Sequence, residues 1–219
     1  MVVSLPADYL SDIRFKGRWL VSKFILTIAV ILGLSAGHIN LIRRKWLLNV
    51  LGLAIQYICI FIVFPKTESF IPALIKLIVG LMATLIIYLT ILSTGAIKRE
   101  RISLKLSAGE VFRGLSGLFL VLLILIATPW LQSEVFPQSS RPALILSMGL
   151  MLLGLLQLGS KAEPFYIVIG LLTFLSGFEL LYGSLEFSNL LEALFAMVNL
   201  LLAIAGAYFI VKNLEMEAS

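Results

Sequence analysis

The chain has 219 residues, of which 60% are hydrophobic and 13% charged, and its mean hydropathy is +1.07. A water-soluble domain keeps about a quarter of its residues charged, so this composition excludes one and implies an all-α, integral membrane protein. The formal charge of +5 is what lysines and arginines produce when they hold linkers on the cytoplasmic side; it calls for no nucleic-acid partner.

Chemistry-bearing residues are scarce. Cys59 is the single cysteine and His38 the single histidine, which rules out an intramolecular disulfide, a cysteine-based metal site, a histidine cage and bis-histidine haem ligation. No glycine-rich phosphate loop, zincin motif or serine-nucleophile motif occurs. The chain is therefore expected to hold no metal or cofactor and to be no enzyme on its own.

A bilayer core about 30 Å thick takes about 20 apolar residues of helix. Seven runs approach that length: 19–37, 46–64, 71–94, 112–132, 142–159, 165–184 and 189–211. Ahead of them lies an N-terminal segment, 1–18, in which "DYLSDIRFKGR" mixes acids, bases and aromatics as an interfacial helix does. The first run, "SKFILTIAVILGLSAG", has Arg14, Lys16, Arg18 and Lys23 ahead of its apolar core, the outline of a signal peptide. No small-residue cleavage site precedes a mature domain, so it is read as a retained span. Its Gly33 and Gly37 are spaced for helix contact, and His38 at its end is read as interfacial.

Pro72, Pro142 and Pro164 fall in the first turns of spans three, five and six, where a missing N–H is tolerated. Pro129 falls in the last turn of span four and is expected to end or bend it. Short linkers imply antiparallel neighbours in one polytopic bundle over 19–211, with a polar tail at 212–219 and no separate soluble domain.

The linker after span one holds Arg43, Arg44 and Lys45, and the linker after span three holds Lys98, Arg99, Arg101 and Lys105, with Arg113 at the next helix entry. The linkers after spans two, four and six offer only Lys66 and Arg141. The positive-inside bias puts the two basic linkers in the cytoplasm and the N-terminus outside. The four basic residues ahead of span one argue the other way, and the internal linkers outweigh them.

Three ionisable residues stand out within the spans, all in the half away from the basic linkers: Lys76 in "FIPALIKLIVG", Glu179 in "LSGFELLYG" and Glu192 in "SNLLEALFA". Opposite charges at similar depth lower each other's cost in low dielectric when they pair. Each has a plainer reading. Lys76 lies about 7 Å from its helix start at 1.5 Å per residue, within reach of headgroups for a snorkelling stem. Glu192 is an acid in a first helical turn, favoured by the helix dipole. Glu179 resists such a reading, because its arm is short and Phe178, Leu180 and Leu181 flank it. A carboxyl group that is costly to charge can take up and release protons. Gln56 and Asn199 are read as interhelical hydrogen-bonding groups.

These residues carry a family resemblance. Gln56 follows a basic linker, Lys76 stands in "ALIKLIVGLMATLIIYL", Gly170 and Gly177 stand in "IGLLTFLSGFELL", and Glu192 opens the last span. In this pattern the chain resembles the E component of hydrogenase-4 and related membrane hydrogenases, whose C-terminal part, here 142–211, is similar to the small K-type subunit of complex I. The family's glutamine matches Gln56, its third-span lysine Lys76, its two glycines Gly170 and Gly177, and an acid near the last span's start matches Glu192 with a two-residue shift. Two positions depart: Leu175 stands where the family has a membrane glutamate, and the last span offers Asn199 and apolar residues where an aspartate follows. Glu179 lies one helical turn after Leu175, on the same face, so it is read as either a displaced relay carboxylate or half of a buried pair with Lys76.

The resemblance implies an accessory subunit of a complex I-like, membrane hydrogenase-like or multisubunit cation/proton antiporter-like assembly. Such a subunit contacts membrane lipids and other membrane subunits, and Lys76, Glu179 and Glu192 contribute to an ion path or to scaffolding. A stand-alone transporter and a purely structural scaffold are the alternatives; the first wants paired midplane helix breaks, which the spans lack. Compact loops and the absence of a transit peptide suggest a prokaryotic inner membrane.

Overall fold

A computed structural model describes residues 7–64, 70–95, 107–160, 162–185 and 188–218. The chain is an all-helical bundle of α1 (Ala7–Ile42), α2 (Trp46–Val63), α3 (Phe70–Ser93), α4 (Ala108–Trp130), a π-helical turn (Leu131–Val135), α5 (Arg141–Ser160), α6 (Pro164–Gly183) and α7 (Asn189–Ala218). Seven of its helical segments are long and apolar enough to cross a membrane. Helices are the form this composition must take, because hydrocarbon offers no partner for an unpaired backbone amide or carbonyl. The protein is an integral, multi-pass membrane protein in contact with lipid.

Helix ends follow local chemistry. Residues 8–18 are the opening turns of the same continuous helix that carries the first candidate span, Lys23–Ile42. At 36 residues α1 is about 54 Å long, more than a bilayer core's thickness. α4 starts earlier than its apolar run, because Ser107 and Glu110 form a capping box: Ser107 Oγ accepts from Glu110 N and Glu110 Oε2 from Ser107 N. Pro129, which has no N–H, lies in its last turn, and the helix widens into the π-helical turn directly after. α7 continues to Ala218, so residues 212–218 are helical too. Lys66 and the second basic linker, Lys98, Arg99, Arg101 and Lys105, lie outside the described residues.

α6 is the organising element, flanked by α5, α2 and α7, with α3 against α7 and α2, and α1 and α4 closing the other side. Its approach to α5 is backbone on backbone. A Cβ added at Gly154 would lie 2.6 Å from Phe174 N, and one at Gly177 would lie 2.7 Å from Ser147 O. Small residues at a membrane helix crossing permit such contact. One apolar cluster joins α1, α2 and α5 through Leu41, Cys59, Ile60, Leu146 and Leu150; a second joins α2, α3, α6 and α7 through Leu53, Ile87, Ile169, Leu172 and Ala203. Gly33 and Gly37 face Leu146, Leu150 and Cys59, a helix contact as their spacing suggested.

Candidate functional site

The polar residues of the spans meet where α2, α3, α6 and α7 converge, in the half of the bundle away from Arg43, Arg44, Lys45 and Arg113. Lys76 projects from the second turn of α3 toward the first turn of α7, where its Nζ lies 3.2 Å from Glu192 Oε1. Both side chains are about nine-tenths enclosed, 10% and 11% exposed. The lysine therefore turns inward and does not snorkel. The same Nζ donates to the main-chain oxygen of Glu179 (3.3 Å) and sits 4.4 Å from the centre of the Phe64 ring, within cation–π range.

Glu179 itself is 4% exposed. Its carboxylate does not pair with Lys76 among the described residues; Oε1 accepts a short hydrogen bond from Asn199 Nδ2 instead. Asn199 Oδ1 in turn accepts from the Tyr57 hydroxyl at 3.1 Å. The sequence offered Glu179 as the partner of Lys76; the ion pair is instead Lys76 with Glu192, while Glu179 heads a second chain through Asn199 to Tyr57. The two are joined at Glu179, whose main chain meets Lys76 and whose side chain meets Asn199.

Nearly two turns before Glu179 on α6, Thr173 Oγ1 donates to Gln56 Oε1 at 3.1 Å, linking α6 to α2 as expected of an interhelical glutamine. Among the described residues Gln56 Nε2 is buried with no hydrogen-bond partner. Ser176, three residues before Glu179 on the same face, donates to Thr173 O at 2.8 Å. Between these groups lies a cavity of about 10 Å³ lined by Tyr57, Phe64, Lys76, Ser176 and Glu179, among others. That is roughly the room one water needs, with several polar partners around it.

Aromatic rings pack where α6 meets α7. Phe178 meets Phe195 edge-on and Tyr182 meets Phe195 likewise, each pair with centroids 5.7 Å apart. One ammonium and two carboxyl groups make a site with one net negative charge when all three are ionised, and none when it holds a single proton. Lys76 already occupies the place where a bound cation would balance the acids. Among the described residues no group of three or more histidine, cysteine, aspartate or glutamate side chains is placed to hold a metal.

Sequence reasoning found Lys76, Glu179, Glu192, Gln56 and Asn199, and the bundle brings all five into one region. It missed Tyr57, Phe64, Thr173 and Ser176. Tyr57 carried a readable signal, since a tyrosine in mid-span is far from the headgroup belt where that residue usually sits. Thr173 and Ser176 carried none, because either hydroxyl can bond back to its own helix. Comparison with family models, with curated proteins and with solved structures finds no match to this chain.

Proposed function

We propose that the chain is an accessory membrane subunit of an ion-translocating assembly of the complex I-like, membrane hydrogenase-like or multisubunit antiporter-like kind. Within it, Lys76, Glu179 and Glu192 form a proton-holding station in the membrane arm, and catalysis resides in partner subunits. The supporting observation is the convergence of three enclosed ionisable groups from three helices, with Asn199 donating to Glu179. A site whose net charge changes between minus one and zero with one proton suits uptake and release better than permanent structural pairing does. The sequence resemblance agrees with this reading, and Asn199, in the stretch where the family carries an aspartate, touches the displaced carboxylate.

The polar cavity beside Lys76 and Glu179, about 10 Å³, has no room for an organic substrate, which argues against a permease whose substrate site is built on these residues. α2, α3, α5, α6 and α7 also run unbroken through the midplane, unlike the discontinuous helices of such carriers. Glu179→Gln keeps the shape and the Asn199 contact but cannot ionise. In the assembled complex in vesicles, proton translocation is expected to fall at least about tenfold while co-purification of partners persists. Normal translocation in that variant removes the relay role and leaves scaffolding. Migration of the wild-type chain as a lone monomer after extraction in mild detergent removes the subunit reading itself.

A further inference from the structure

A second feature lies apart from the polar site. A groove of about 360 Å³ opens between α1, α4 and α5, lined by Thr27, Val30, Ile31, Leu34, Val121, Leu125, Pro142 and Ile145, with Arg141 at its rim. Its volume falls in the lower range of small-ligand sites. From Thr27 to Leu34 it extends about 10 Å along α1 at 1.5 Å per residue. Its lining is mostly aliphatic, with the hydroxyls of Thr27 and Ser35 the polar groups besides Arg141.

Its rim is built, not incidental. Gln132 in the π-helical turn accepts from Arg141 Nε at 2.7 Å and donates through Nε2 to Ser139 O at 3.1 Å, fixing the guanidinium over the groove. The two terminal amino groups of Arg141 have no acceptor among the described residues, and they present the fork that matches a phosphate's oxygens. No carboxylate lines the groove; Glu134 in the adjoining turn is not part of its wall. A groove whose only lining charge is a cation suits a headgroup of net negative charge. The quaternary ammonium of a phosphatidylcholine headgroup would lie near the same arginine with no lining carboxylate to offset it.

We propose that this groove is a binding site for one anionic phospholipid, its phosphate on Arg141 and one acyl chain between Leu34, Val121 and Ile145. The lipid would fill the side of the bundle where α4 is otherwise thinly packed. Such a site is independent of the proton-station reading and stands if that reading fails.

The test is native mass spectrometry of the full chain in detergent, titrated with phosphatidylglycerol or phosphatidylcholine of identical acyl chains. One phosphatidylglycerol is expected to be retained about fivefold to tenfold more tightly than phosphatidylcholine, the size of effect one juxtamembrane arginine gives. Arg141→Gln, at an exposed helix start where folding is not at risk, should bring the two lipids level. Val121→Trp, which fills the groove, should weaken both with Arg141 intact. Equal retention of the two lipids by the wild type, or a preference that survives Arg141→Gln, overturns the proposal.

Discussion

The Lys76 ammonium of α3 lies 3.2 Å from the Glu192 carboxylate of α7, and each side chain is about nine-tenths enclosed. α3 and α7 both expose broad apolar faces, so this pair ties together two helices that lean on lipid for much of their surface. Removing one partner of a buried pair leaves the other charge uncompensated and costs about 3 kcal/mol or more, whereas replacing both by apolar groups is often nearly neutral. Lys76→Met or Glu192→Met alone should therefore lower thermal stability markedly in detergent. The double variant should melt above either single one. Additive losses in that cycle would mean the two charges do not interact.

Tyr57 and Asn199 set the position of Glu179 from the other side. Tyr57→Phe deletes only the hydroxyl that donates to Asn199, and an interhelical hydrogen bond in a membrane is worth about 0.6 kcal/mol. Its melting temperature should scarcely change. With its oxygen no longer held, the Asn199 amide is free to rotate away from Glu179, so proton translocation by the assembly should still fall severalfold. Asn199→Leu removes the donor to the buried carboxylate outright and should cost about 1–3 kcal/mol. A Tyr57→Phe variant with unaltered translocation would show that the Asn199 orientation does not matter to the station.

Much of this was legible in the sequence, for a physical reason. Apolar length fixes a span, and a charged residue within one must find a partner, so Lys76, Glu179 and Glu192 stood out at similar depth. Which acid pairs with the lysine was not legible. That depends on the relative height and rotation of α3, α6 and α7, which the α5–α6 glycine contacts and the Phe64 ring help set, and no one-dimensional pattern carries it. The start of α4 was missed by four residues because the apolar run begins at 112 while the cap, Ser107 with Glu110, is polar. A capping box read before the hydropathy would have placed it. The lipid groove left no sequence signal, since its walls come from three helices and its one charge is a linker arginine.

Gly177 sets the depth at which α6 seats against α5. A methyl group there would lie 2.7 Å from Ser147 O and 2.8 Å from Met151 N, both backbone atoms that cannot turn aside. Gly177→Ala must therefore push the two helices apart, and overpacking of this kind costs about 1–3 kcal/mol. Because Ser176 and Glu179 ride on the same stretch of α6, the displacement should also reduce translocation. Gly159, by contrast, has open space around its Cβ position, so Gly159→Ala should leave the melting temperature unchanged or slightly raised. Equal melting temperatures for the two variants would refute the close helix crossing.

The end of the bundle that gathers the cations gives a testable expectation for orientation. Arg43, Arg44 and Lys45 sit at one end with Arg113, whose guanidinium donates to Ile42 O, and Arg44 lies 3.6 Å from Glu163 there. Moving such a group across a membrane is disfavoured, so that end should face the cytoplasm and the end bearing Gln138 the opposite side. Cys59 is buried and can be replaced by alanine to give a background without thiols. In it, Gln138→Cys and Glu163→Cys place single thiols at exposed positions on opposite ends. Losing Glu163 breaks only a half-exposed ion pair, worth little. A membrane-impermeant maleimide applied to intact cells should label Gln138→Cys and spare Glu163→Cys until the membrane is opened. The reverse pattern would turn the protein over, and with it the side of the membrane that Lys76 and Glu192 lie towards.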